Sequence, residues 1–391
     1  MALERSNSLH GEIMLEYAAL TGFEPAAESP CRYLWTDSFA VCNFLGLFRE
    51  TGEKTWLDLA LRLVHQVHHT LGRHRGDDPR LGWISGLDEW DGELHPTRGG
   101  LRIGKELNER GTDEPLDERL EWDRDGQYYH YLTKWMHALS RVALSTGDPR
   151  FLAWGIELAG TVHARFAHIQ WTGGPKRLYW KMSIDLTRPL VSSMGQHDPL
   201  DGLLTCHELR QVAARDFSAV GLPDLHDEIK ELAGICRGMS LTTDDPLGIG
   251  GLLCDACRMV QLIMDGSFAH ASLLEKVMNA ALLGMESFTA EEPLDLPVAY
   301  RLPFRELGLS IGLKGVERIS RWNRECPDLF AATPSIRRKI ERLMRYTHLA
   351  SVIEQFWQKE RTSKPDAWEE HRDINMVMLA TSLAPDGFLV V

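Results

Sequence analysis

Several common signatures are missing from this 391-residue chain. Its seven cysteines are odd in number and scattered, so they form no disulfide framework. No apolar run reaches the roughly 18 uninterrupted residues that a spanning helix needs. The opening Met1-Ala2-Leu3-Glu4-Arg5-Ser6-Asn7 has no basic segment followed by an apolar stretch. These absences lead to the expectation of a reduced, soluble, cytoplasmic protein with no membrane partner. Positive charge is scarce: 43 Lys and Arg against 56 Asp and Glu leave a net charge of −13, which disfavours binding to nucleic acid. Local arginines can still override that mean for a small anion.

Cofactor motifs are also missing. There is no His-Glu-x-x-His, Walker or dinucleotide fingerprint, and Gly99-Gly100 and Gly250-Gly251 lack the strand context such loops require. Cys254-Asp255-Ala256-Cys257 sits in an apolar helical run without a second cysteine pair, so a zinc site is not expected there. His65, His68 and His69 fall on what reads as an outer helix and are expected at the surface. No metal and no cofactor follow from these patterns, and no serine-nucleophile motif is found.

What is present is a rhythm. Apolar residues recur at helical spacing over 8–22, 36–50, 56–71, 126–146, 149–167, 199–214, 223–238, 246–265 and 269–287. They continue over 303–313, from 314, over 335–360 and over 371–384. Two joints are alike: Thr51-Gly52-Glu53-Lys54-Thr55-Trp56-Leu57 and Thr146-Gly147-Asp148-Pro149-Arg150-Phe151-Leu152. Glycine suits the left-handed residue that ends a helix, and the acid after it suits the start of the next. A helical hairpin is therefore used repeatedly, about six times, with the N-terminal helix partnering the last inner one. First members are rich in small and apolar residues, as in Gly248-Ile249-Gly250-Gly251-Leu252-Leu253-Cys254; second members are amphipathic. The fold class expected is all-α, a closed (α/α)6 barrel over residues 1–391, with an open solenoid as the rival. Long insertions at 74–121 and 168–195 stand out as functional loops, the second with a short hairpin through Thr172-Gly173-Gly174-Pro175.

Aromatic, acidic and amide residues cluster at inner helix starts. Trp35-Thr36-Asp37, Trp122-Asp123-Arg124-Asp125-Gly126-Gln127, Gly195-Gln196-His197-Asp198-Pro199, Asp244-Asp245-Pro246 and His371-Arg372-Asp373 are the clearest. One such acid is a helix cap. Several in register point to helix starts around one pocket. Asp198-Pro199 and Asp245-Pro246 read equally as cap and first turn. Asp88 and Trp90 belong to an acidic loop, Leu87-Asp88-Glu89-Trp90-Asp91-Gly92-Glu93. Arg301 and Arg305 are suited to grip an anion or to pair with local acids such as Glu306.

In this architecture the chain resembles the six-hairpin, (α/α)6-barrel carbohydrate-active enzymes, among them unsaturated glucuronyl hydrolases and the N-acylglucosamine 2-epimerase group. The resemblance covers nearly the whole chain and rests on helix order rather than on a signature motif. It implies a central pocket for a small carbohydrate or glycoside, lined by aromatic and acidic residues. For glycoside cleavage, two carboxyl groups flank the bond, one acting as acid. Asp125 and Asp198 are the first pair, with Asp37, Asp88 and Asp245 in reserve. Trp35, Trp90, Trp122 and Trp180 are the stacking candidates, with Gln127, Gln196, Arg301 and Arg305 as polar binders. A sugar epimerase or isomerase on the same barrel would use histidines, and His197 and His371 are the pair for that. A toroid that binds a ligand without catalysis is the third reading.

Overall fold

A computed structural model describes residues 8–169, 174–268 and 270–391. The helices are α1 (Leu9–Leu20), α2 (Leu34–Thr51), α3 (Lys54–Leu71), α4 (Glu89–Leu94), α5 (Glu118–Glu121), α6 (Tyr129–Thr146), α7 (Pro149–Phe166), α8 (Asp198–Asp216) and α9 (His226–Arg237). They continue as α10 (Pro246–Met264), α11 (Ala271–Ala290), α12 (Pro303–Glu325), α13 (Pro334–Leu343), α14 (His348–Ser363), α15 (Asp366–Glu369), α16 (Arg372–Leu383) and α17 (Asp386–Leu389). The strands are short: β1 (Gln127–Tyr128), β2 (Ala167–Ile169), β3 (Lys176–Leu178), β4 (Lys181–Met182) and β5 (Pro189–Val191). Among the described residues the fold is all-α, with long helices packed in successive pairs and only short strands.

The described residues fall into two compact units. In the unit that holds 21–48 and 52–239, α6 packs on α7, α8 packs on α9 and α6 also packs on α8. Here α2 meets α3 through the stacked rings of Phe44 and Trp56, 6.1 Å apart. In the other unit α10 pairs with α11, α12 with α13 and α14, and α1 with α16. The N-terminal helix thus partners the last long one, as its position in the repeat predicted. Residues 34–45 of α2 are all buried, whereas α3 buries one stripe, Trp56, Leu59, Ala60, Leu63, Val64, Val67 and Leu71. That is the difference between a helix surrounded by protein and one facing water on one side.

The expected joints are present. Gly52 and Gly147 take left-handed conformations with φ of 74° and 71°, and each returns its N–H to a carbonyl of the preceding turn. Asp148 then caps α7 by accepting from the Arg150 N–H. Two boundaries differ from expectation. A break at 313–314 is not found, because α12 runs unbroken through Gly308, Gly312 and Gly315. These glycines serve packing: a Cβ built on Gly312 would lie 2.8 Å from the Gly250 Cα, so α10 and α12 approach backbone to backbone. Conversely, 335–360 is two helices, α13 and α14, separated by a 3₁₀ turn at Met344–Tyr346. The apolar α10 has the length and composition of a membrane-crossing helix, but it is mostly buried, against α11 and α12.

Both insertions belong to the unit that holds 21–48 and 52–239, and they are tied to each other. β1, β4 and β5 form a three-stranded antiparallel sheet with Gln127 opposite Met182 and Tyr128 opposite Lys181. Arg80 bridges Asp78, Glu109 and Asp185, so one guanidinium holds three carboxylates from both insertions. The hairpin expected near 172–175 is flanked by the β2–β3 pair, Ala167 opposite Leu178. Its Thr172 and Gly173, together with Trp171, lie outside the described residues.

Candidate active site

The start of α8 is where the polar cluster at 195–202 becomes informative. Asp198 does not cap its helix. The Ncap is His197, whose carbonyl accepts from the Leu200 and Asp201 N–H groups. The Asp198 carboxyl is instead buried, with a side chain 8% exposed, and its Oδ2 has no hydrogen-bond partner among the described residues. Burial without compensation favours the neutral form of a carboxylic acid. Burial, followed by the charge of Asp201 one turn on, raises the Asp198 pKa to about 7, against a smaller opposing effect of Lys134. Asp201 itself is anchored by Lys134 at 2.8 Å and by the Thr133 hydroxyl.

Facing Asp198 is His130, in the first turn of α6. Its Nδ1 lies 3.7 Å from Asp198 Oδ1 and has no hydrogen-bond partner. Desolvation lowers its pKa to about 4, with Lys134 adding and Asp201 opposing. The pair is therefore an imidazole held in its neutral form next to a carboxyl whose surroundings favour the protonated form. The separation is longer than a hydrogen bond.

A chain of aromatic rings runs outward from His130. His130 stacks with Tyr128 at 5.5 Å and meets Tyr131 edge-on at 4.7 Å. Tyr131 is bonded hydroxyl to hydroxyl with Tyr33 and lies 6.4 Å from Trp35. Tyr128 continues to Trp180 at 5.1 Å, and Trp180 to Trp122 at 5.0 Å. Trp122, at the outer end, is 54% exposed. Lys105 of the first insertion lies 5.3 Å from the Tyr33 ring centre. The fold supports this chain of rings by burying Lys181 completely: its Nζ binds the Glu121 carboxylate at 2.9 Å and the carbonyls of Glu121 and Arg124.

The other expected site residues divide into three groups. Trp35, Trp122, Trp180 and Asp198 belong to the arrangement just described. Asp125, Asp37 and Gln127 are near it in sequence but are structural. Asp125 is fully buried and receives Arg102, Arg75 and the Gly104 and Gly126 N–H groups, which occupies both its oxygens. Asp37 is held by Arg32 at 3.1 Å and by the Tyr33 N–H. Gln127 accepts from Leu101 N–H and donates to the carbonyls of Gly99 and Ile184, fastening the two insertions together. These contacts speak against their reading as catalytic or binding groups, because the two carboxylates and the amide are already engaged within the protein.

The third group lies elsewhere. Asp88 is the exposed cap of the short α4, accepting from the Asp91 N–H, and Trp90 beside it is 76% exposed. Gln196 is exposed and His197 half-buried, both on the loop into α8. In the other unit Asp245 caps α10 and is paired with Arg305. Arg301 is buried and forks onto Glu306 at 2.8 and 2.6 Å, beneath Phe356. His371 meets Phe304 edge-on. His68, expected at the surface, is buried and accepts from Trp135 Nε1 at 3.1 Å. His130, Tyr131 and Tyr33 were not singled out from the sequence. The signal was the run Tyr128-Tyr129-His130-Tyr131 at a helix start, directly after the acids that drew attention instead.

No family model and no curated protein matches the chain. Among solved structures it is similar to the GH76 α-mannanase of Bacteroides thetaiotaomicron, with 10% identity over 81% of each chain and a TM-score of 0.48. It is also similar to a sugar epimerase from a ruminal bacterium, with 11% identity over 79% of this chain and 75% of that one and a TM-score of 0.41.

Proposed function

We propose that this protein is a carbohydrate-active enzyme in which Asp198 is the general acid, and that its reaction is hydrolysis of a glycoside. The observation that carries the proposal is the Asp198 carboxyl, buried and unpartnered at Oδ2 among the described residues, a setting that raises its pKa to about 7. A carboxylic acid kept neutral near physiological pH is what protonation of a departing sugar oxygen requires. The Asp198 O–H proton passes to the glycosidic oxygen as its bond to the anomeric carbon breaks; water then adds to that carbon and gives a proton back to the Asp198 carboxylate, which restores the acid. The rings of Trp180 and Trp122 offer apolar faces to the C–H surfaces of sugar rings, with Trp122 the more exposed.

A second reading has its own observation. His130, neutral and 3.7 Å from Asp198, makes an acid–base couple able to move a proton beside a carbonyl. That is epimerase or isomerase chemistry, with this couple in place of the histidine pair suggested by the sequence.

Incubation with a panel of aryl glycosides and oligosaccharides, and in parallel with free aldoses and ketoses in deuterated water, separates the two. Release of reducing sugar supports hydrolysis. Deuterium incorporation next to the carbonyl of a free sugar, with no bond cleavage, replaces it with the second reading. Turnover of either kind that survives Asp198→Asn unchanged removes Asp198 from both.

A further inference from the structure

Away from the Asp198 site, His65 and His69 stand one turn apart on α3, and Glu93 stands opposite them at the end of α4. One ligand atom from each of the three lies within 4.8 Å of the others. The two imidazoles are stacked, with centres 3.9 Å apart and planes at 21°. His69 Nδ1 donates to the His65 carbonyl at 2.8 Å, which turns Nε2 toward Glu93 Oε1, with a further proton between those two atoms. This is the arrangement by which proteins prepare a histidine ligand: one ring nitrogen is spent on a carbonyl, and the tautomer and orientation of the other are fixed.

We infer that His65, His69 and Glu93 form a binding site for a first-row divalent cation of the zinc type, with a fourth position left to water. Two imidazole nitrogens and one carboxylate oxygen are a borderline donor set, matched to zinc, nickel, copper or cobalt rather than to calcium or magnesium. Binding displaces the proton held between His69 Nε2 and Glu93, and the side chains rotate to bring all three donors to about 2.0–2.2 Å from the ion. The consequence is mechanical. Glu93 belongs to the first insertion and the histidines to a long helix of the hairpin framework, so the ion pins α4 onto α3. An existing contact, Arg73 with Glu89, ties the same helix at its other end.

The test uses the full chain, dialysed against chelator and titrated with zinc by calorimetry and with cobalt(II) by absorption. One zinc should bind per chain with release of protons, the cobalt complex should show the intense visible bands of low coordination number, and hydrogen exchange should slow over residues 88–95. His65→Ala and His69→Ala should each weaken zinc binding by at least about tenfold. Glu93→Gln should retain binding but weaken it and reduce the proton release. Equal zinc affinity in the wild type and in the His65→Ala/His69→Ala double variant, or no binding by the wild type, would overturn the assignment. Because all three side chains are at or near the surface, folding of the variants can be confirmed by unchanged circular dichroism.

Discussion

Asp198→Asn should make the protein more stable above neutral pH while leaving its stability in acid nearly unchanged. In the unfolded chain the carboxyl titrates at 3.8, and in the folded protein at about 7. Between those values the folded state binds the extra proton, so this residue makes stability fall as pH rises. Below about pH 4 both states are protonated and the contribution vanishes. Above about pH 7 the full cost of a buried, unpartnered carboxylate is present. A shift of this size corresponds to about 4 kcal/mol, taken as an upper value for a side chain 8% exposed. Asparagine never ionises and avoids that cost. With an unfolding entropy near 2.1 cal/mol/K per residue over 391 residues, a gain of about 4 kcal/mol raises Tm by about 5 °C. His130 acts in the opposite sense: its lowered pKa makes stability rise from about pH 4 to 6.5, and that slope should persist in the variant. Calorimetric or fluorescence melts of both proteins at half-unit intervals from pH 4 to 9 read the difference. A Tm difference that is constant across pH would refute the reasoning, and so would a variant less stable at pH 8 than at pH 4 relative to wild type. Either result would mean that Asp198 is ionised and satisfied in the fold.

Other substitutions test the structural assignments. Asp125→Asn should destabilise by about 3–5 kcal/mol, because it strips the charge from a fully buried partner of Arg102 and Arg75; denaturant midpoints read this, and a fully stable but inactive variant would restore Asp125 as a catalytic group. Gly250→Ala should cost about 1–3 kcal/mol, since its Cβ would drive into the Gly308 backbone where α10 meets α12; an unchanged Tm would contradict that close approach. Trp122→Ala should change stability by less than about 0.5 kcal/mol, the ring being largely exposed, yet weaken binding of any sugar substrate by about 1–3 kcal/mol, read as a raised KM. Equal KM in wild type and variant would remove Trp122 from the binding surface.

The helical framework was legible because it is written in local terms. Gly52 and Gly147 announce the ends of α2 and α6, and the paired periodicities announce the hairpins. Misreadings arose where a local sign had a distant cause. The glycines of α12 resemble a break until α10 is seen packed against them. Asp125 resembles a site residue until Arg75 and Arg102, more than 20 positions earlier in the chain, are found on its oxygens. Asp198 followed by Pro199 has the form of a cap, and only the backbone at His197 shows that the carboxyl is left for other work. The pairing of Asp198 with His130 depends on the packing of α8 against α6 and has no trace in sequence spacing. The three-residue cluster of His65, His69 and Glu93 was half visible, as an i, i+4 histidine pair, but its third member comes from an insertion whose path no periodicity describes.

The claim that Asp198 delivers a proton to a sugar oxygen is tested most directly with a series of aryl glycosides whose leaving groups differ in acidity. Wild type and Asp198→Asn would be compared on each. A poor leaving group needs the acid, so the variant should lose about 10²–10⁴-fold in kcat/KM there. A strongly acidic phenol leaves without help, so on that substrate the variant should approach the wild-type rate. A loss of equal size across the whole series, or none at all, would contradict the account.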